Sequence, residues 1–252
     1  MLRGKGRGWG AVFPKGYQMP DILIHRRGPA LWPEVFPLKL LQTLKRELGS
    51  LLFETVYQGE PSPAQGTVFQ RGWLASYTET PRALEIGQAW DTALKGGQEH
   101  DYSCCVTGGR DADGRVFILD VWRGQVEAPA LGRQVLMLAE RHQPRWVVME
   151  DAGAGAMLLQ QIRGRRLPMI PVTPVKDKRF RAGVVAPLVE RGDVRLPVYA
   201  PWLEDFMGEL LGFPAGRHDD QVDAFVHLLT RFAAHSPLPM TDWGRIQRPE
   251  GW

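Results

Sequence analysis

The chain has 252 residues, of which 44% are hydrophobic and 23% charged, enough for one sizeable core in a globular protein. It contains no apolar run of about 18 residues, which excludes a membrane-spanning helix, and its N-terminus lacks the apolar stretch of a signal peptide. Thirty-one bases against 28 acids leave a net charge of +3, so a polyanionic partner must be recognised by where the bases lie and not by bulk charge.

Residues 1–30 read as a flexible basic arm. Arg3, Lys5 and Arg7 alternate with Gly4, Gly6 and Gly8, and such a run has little apolar surface to bury. Residues 31–80 read as a helix and a linker. Leu40, Leu41, Leu44, Leu48, Leu51 and Leu52 give the span Leu38–Phe53 an apolar face, which Gly49 interrupts. The turn residues from Glu60 to Gly66 mark the linker.

The compact domain is expected over 81–235, starting near Leu84. Leu84, Ile86 and Trp90 alternate toward Asp91, which predicts a strand ending in an acid. Tyr102–Thr107 and Val116–Trp122 predict a hairpin about the turn pair Asp113–Gly114. Cys104 and Cys105 are adjacent, so they neither staple a long loop nor have zinc-ligand spacing. They predict buried strand residues in a reducing interior. A helix is predicted from Ala130 to His142, ended by Pro144. Arg145–Glu150 is almost continuously apolar, as in a parallel strand buried on both faces, and it closes on Glu150 and Asp151. Gly153 and Gly155 follow, but Leu158 stands where a dinucleotide fingerprint needs its third glycine. The small residues are therefore read as letting the next helix approach the sheet.

Leu167–Val172 predicts a short strand. Lys176, Lys178, Arg179 and Arg181 precede a helical run to Glu190, and Val194–Pro197 reads as an edge strand limited by its proline. Trp202–Leu211 is expected to be helical. Residues 236–252, with Pro237, Pro239 and Pro249, read as a polar tail.

The last helix of the domain carries the chemistry. In His218–Ala224, Asp219, Asp220 and Asp223 open an apolar stripe of Val222, Phe225, Val226, Leu229 and Phe232. At 100° per residue the three acids share an arc of about 100° at the first turn. Helix capping accounts for one of them, whereas three like charges call for a cation. Asp91 and Glu150 are the candidate partners, because sites in open α/β sheets form at the carboxyl ends of strands. Such a site offers oxygen ligands only, which select Mg²⁺ or Mn²⁺. Two such ions about 4 Å apart suit phosphodiester cleavage. The expected fold is therefore α/β and ribonuclease H-like: a mixed sheet flanked by helices, with an extended N-terminal arm and a Pro-rich C-terminal tail.

Residues from about Pro29 to Ala234 resemble the C-terminal nuclease region of phage terminase large subunits. The resemblance is carried in order by Leu31–Glu34, Gln88–Ala93, Asp101–Ser103, Ile118–Gly124, Val148–Gly155, Ala200–Leu203 and His218–Ala224. It implies an endonuclease that cuts concatemeric viral double-stranded DNA during genome packaging, using two Mg²⁺ or Mn²⁺ ions. It also implies that Asp91 bridges the metals, that Glu150 binds one of them with Asp151 able to share that role, and that Asp219, Asp220 and Asp223 complete the site. Asp91, Glu150, Asp220 and Asp223 are the expected catalytic set. Lys176, Lys178, Arg179 and Arg181 are expected to hold the DNA backbone.

The partners implied are DNA, the portal protein, the small terminase subunit and a separate ATPase motor, all in the cytoplasm of a bacterial host. The chain departs from a complete large subunit in having no Gly-x4-Gly-Lys-Ser/Thr phosphate loop, so it is expected to be the nuclease without its motor. A junction resolvase of the same fold and a catalytically inactive prophage remnant that serves as a docking module are the alternatives.

Overall fold

The computed structural model describes residues 36–57, 67–92, 102–151, 153–162, 167–173 and 177–234. The basic arm, the Leu31–Glu34 motif, most of the linker, Asp101, Lys176 and the tail lie outside the described residues. The chain divides into two compact units, Met1–Leu41 and Gln42–Trp252.

Among the described residues the α-helices and strands follow in this order, with a 3-10 turn, Arg71–Trp73, ahead of the first strand: α1 (Leu38–Tyr57), β1 (Ala75–Tyr77), β2 (Glu85–Asp91), β3 (Ser103–Arg110), β4 (Val116–Gly124), α2 (Ala128–His142), β5 (Trp146–Glu150), α3 (Gly153–Gln161), β6 (Met169–Val172), α4 (Lys178–Glu190), β7 (Val194–Pro197), α5 (Leu203–Gly212) and α6 (Asp220–Ala234). The predicted break in α1 is real. Gly49 has φ 75° and ψ 162°, and a Cβ there would meet Pro187 Cγ at 2.8 Å. Only glycine accommodates both the left-handed turn and that approach.

The strands of the described residues form one seven-stranded sheet in the order β1-β7-β4-β3-β2-β5-β6. The pairs β2–β3 and β3–β4 are antiparallel, and β5, β6, β7 and β1 join by parallel pairing. The hairpin turns where expected: Gly114 has φ 85° and its N–H donates to Asp111 O at 3.1 Å.

One strand expectation is corrected. Val194–Pro197 is not an edge strand, because β1 pairs outside it. Its proline is tolerated because Pro197 closes the strand and the N–H of Val198 donates to Tyr77 O instead. The three residues of β1 are too few to show an alternation in sequence.

Strand alternation divides the core. Ala89, Cys104, Val106 and Val148 face α4, α5 and α6, while Trp90, Cys105, Val147 and Met149 face α2 and α3. Both cysteines are buried free thiols. Val68 and Phe69, ahead of β1, belong to the first of these clusters. Helix α6 buries Val222, Phe225, Val226, Leu228, Leu229 and Phe232. Each such side chain stabilises by roughly 1.5–3 kcal/mol, against about 0.2–0.5 kcal/mol lost per like-charge pair on a helix surface. Apolar burial therefore holds the acidic first turn where the sheet places it.

Candidate metal centre

The sheet register aligns the acids. Asp91 lies opposite Cys104, and Cys104 opposite Arg123. On the other side Trp90 pairs with Met149, so Asp91 and Glu150 are the next positions on neighbouring parallel strands, about 5 Å apart along the sheet. Both share strand parity with Ala89 and Val148, the residues that face α6. The apolar interior of β2 and β5 thus ends in a carboxylate on the α6 side of each strand.

Helix α3 starts immediately beyond. A Cβ on Gly155 would stand 1.9 Å from Glu150 O, so the glycine permits the helix to begin against the strand end, as read from sequence. Asp151 is exposed, and its N–H donates to Val172 O at 2.9 Å.

Helix α6 brings the remaining acids. Asp223 is buried, at 4% exposure, and is held by two cations from α4: Lys178 Nζ at 2.7 Å and Arg181 Nη2 at 2.7 Å. Lys178 Nζ also reaches Asp219 Oδ1 at 2.8 Å, so its ammonium bridges two acids. Arg181 lies 3.9 Å from Glu150 Oε1. Asp220 faces Arg123, 3.8 Å away. The described bases of the 176–181 cluster thus include two, Lys178 and Arg181, that turn onto the carboxylates.

Among the described residues no three His, Cys, Asp or Glu side chains are gathered so as to hold a metal ion; Asp219, Asp220 and Asp223 face cations instead. The set nonetheless fits a divalent cation in its chemistry. Its donors are oxygens, and a lysine ammonium already stands between two of them.

The electrostatics agree. Asp91 is pushed up to about 8, first by burial and then by the charges of Asp223 and Glu150. Asp220 is raised to about 6 by burial and by Glu209. Glu150 is lowered, chiefly by the hydrogen bond from His227. Acids displaced in opposite directions within one cluster mark a functional-site candidate.

Three residues that sequence reading passed over support the acids. His227 Nε2 lies 2.9 Å from Glu150 Oε1. Glu209 on α5 accepts the N–H of Gln221 at 2.6 Å and its side-chain amide at 2.7 Å. This carboxylate from another helix thus serves one of the free N–H groups at the start of α6, that of Gln221. Arg123 stacks over the Tyr102 ring at 3.8 Å and lies 3.9 Å from Glu209. A signal for Glu209 was present: with Phe206, Leu210 and Phe213 it occupies the i, i+3, i+4, i+7 stripe, where an acid is out of place.

A mixed sheet of this order, with helices on both faces and acids at adjacent strand ends, is a ribonuclease H-like α/β fold. The chain belongs to the family of the terminase RNaseH-like domain, whose model matches residues 88–232. The large terminase nuclease from thermophilic phage G20c, solved with bound magnesium, is 20% identical with a TM-score of 0.51, covering 67% of this chain and 99% of that one. Its cobalt-bound form is 18% identical with the same TM-score and coverage. The large terminase of a second thermophilic bacteriophage is 12% identical with a TM-score of 0.61, covering 77% of this chain and 52% of that one. This chain thus aligns with about half of that longer protein. No curated protein matches the chain in sequence.

Proposed function

We propose that the chain is a metal-dependent endonuclease that cuts concatemeric viral double-stranded DNA during genome packaging. What supports this reading is that the strand ends bearing Asp91 and Glu150 are neighbours in the sheet and that Asp91 feels the charges of Asp223, Glu150 and Asp220, in a terminase RNaseH-like domain. Membership of that family and the magnesium bound by the G20c nuclease support it.

In this reading Asp91 and Glu150 hold the ions from the strand ends, Asp220 and Asp223 hold them from the helix, and Asp219 and Asp151 lie at the margin. Two Mg²⁺ or Mn²⁺ ions would supply an activated water and stabilise the leaving oxygen in phosphodiester hydrolysis. The protein's own contribution is placement. Two strand ends and one helix turn carry the acids to one end of the sheet, and Asp91, which burial and its acidic neighbours hold protonated, would give up its proton as an ion bound. Lys178 is the group that gives way: its ammonium releases Asp223 and Asp219 and, with Arg179, Arg181 and Lys176, meets the phosphate backbone.

Phosphate contacts position DNA without reading its sequence, so cleavage is expected to show little sequence preference. The partners in this reading are DNA, the portal protein, the small terminase subunit and a separate ATPase motor, in the cytoplasm of a bacterial host.

The test is incubation of the full chain with linear duplex and with four-way junctions, in Mg²⁺, Mn²⁺ or EDTA. Cleavage of linear duplex that needs the ion and is largely lost in Asp91→Asn is expected. Preference for junctions would make it a resolvase, and a folded wild-type chain that neither binds Mn²⁺ nor cuts would make it a docking module.

A further inference from the structure

We infer that His227 is a positioning residue for Glu150, fixing the orientation of its carboxylate for an ion that the carboxylate and the acidic helix share. The inference rests on the nuclease reading above and adds to it a residue that holds a ligand without being one.

The first ground is placement. His227 is four residues beyond Asp223, so the two lie one above the other on the same face of α6. A single rigid helix, anchored by its apolar stripe, therefore delivers an acid to the site and an imidazole to the acid on β5. The second ground is burial. His227 is only 5% exposed, and a polar ring removed from water costs free energy unless it is hydrogen-bonded. Its Nε2 lies 2.9 Å from Glu150 Oε1, so Nε2–H donates to the carboxylate and fixes which ring nitrogen bears the proton.

The third ground is the geometry left over. Glu150 has two oxygens, and the contacts from His227 and Arg181 both fall on Oε1. A glutamate at a strand end is otherwise free about three torsions. Tying Oε1 restricts that freedom, and Oε2, which neither contact uses, is the atom that would be offered to an ion. The neighbouring α4 contributes Lys178 and Arg181 to Asp223, each at 2.7 Å, whereas Arg181 stands off Glu150 at 3.9 Å, so the contact at hydrogen-bond distance on Glu150 is the imidazole.

Hydrogen-bond partners of ligating carboxylates typically change metal affinity by about 10–100-fold when removed. The test compares His227→Gln, whose amide nitrogen reaches the place of Nε2, with His227→Asn, whose amide stops short. His227→Leu, which removes the donor, is the third variant. Mn²⁺ binding to the full chain is measured by calorimetry, folding by thermal melts in EDTA, and bound Mn²⁺ by pulsed electron paramagnetic resonance.

The expected result is near wild-type Mn²⁺ affinity in His227→Gln and affinity about 10–100-fold weaker in His227→Asn and His227→Leu, with cleavage at saturating Mn²⁺ falling less than affinity. Equal Mn²⁺ affinities in the Gln and Asn variants would overturn the inference even if the Leu variant does not fold. So would a nitrogen directly coupled to wild-type Mn²⁺, which would make His227 a ligand. A wild-type chain that binds no Mn²⁺ overturns the nuclease reading itself and this inference with it.

Discussion

Glu209 and Gln221 join two helices through one buried carboxylate: it accepts the backbone N–H of Gln221 at 2.6 Å and the side-chain amide at 2.7 Å. One free N–H in the first turn of α6 is therefore satisfied from α5, while Asp219, Asp220 and Asp223 face cations. Glu209→Ala should cost about 1.5–3 kcal/mol, the range for hydrogen bonds to a charged group, read as a shift in the urea midpoint. The same variant should weaken Mn²⁺ binding, because the first turn of α6 loses its anchor. A stability loss with Mn²⁺ affinity unchanged would show that the cap does not position the acids.

The pH dependence of stability follows from Asp91. Its folded value is about 8, against an ordinary 3.8. Between those limits the folded chain holds a proton that the unfolded chain has lost, so stability falls as pH rises. The contribution is fully present below about pH 4 and is lost as pH passes through about 8. Asp220, raised to about 6, acts in the same direction over a narrower window. In EDTA, the urea midpoint of the wild type should be higher at pH 5 than at pH 8, and Asp91→Asn should flatten that difference. Equal slopes in the two proteins would refute it.

Lys178 and Arg181 grip the same aspartate but should differ in weight. The Lys178 side chain is 48% exposed and that of Arg181 18%. An exposed pair is worth about 0–1 kcal/mol, whereas breaking a buried one costs about 3–5 kcal/mol. Arg181→Met should therefore destabilise the metal-free protein severalfold more than Lys178→Met in denaturant titrations. Lys178→Met should bind Mn²⁺ more tightly, since the ammonium that bridges Asp219 and Asp223 is removed as a competitor. Weaker Mn²⁺ binding in that variant would show that Lys178 assists the ion.

Binding of duplex DNA should depend steeply on salt. Arg179→Ala should reduce the slope of log affinity against log salt by about 0.9 for each phosphate the protein no longer neutralises. The measurement is a salt titration by fluorescence anisotropy in Ca²⁺ or EDTA, where cleavage is suppressed. An unchanged slope would place Arg179 on a solvated face away from the DNA path.

Much of this was legible in the chain because it is local. The apolar run to Glu150 specified a buried strand. Asp113–Gly114 specified a hairpin turn, and the 3.6-residue stripe after Asp219 specified a core-facing helix with its acids at the start. Glu150 could be singled out because packing does not explain two acids, Glu150 and Asp151, closing a fully buried strand, whereas Asp91 alone also reads as a turn starter and gained weight only as a partner for the acidic helix. Periodicity, however, reports only what an element does with its own neighbours. It could not register β1, whose three residues pair with a strand 120 positions later (Ala75 with Arg195). It could not tell that β7 is covered and not an edge. Nor could it show that Lys178 and Arg181 turn inward onto Asp223, that Glu209 caps a helix other than its own, or that His227 meets Glu150. Those pairings are made across the sheet and between helices, where apolar burial sets the distance between elements and charged side chains take the partners that packing brings within reach.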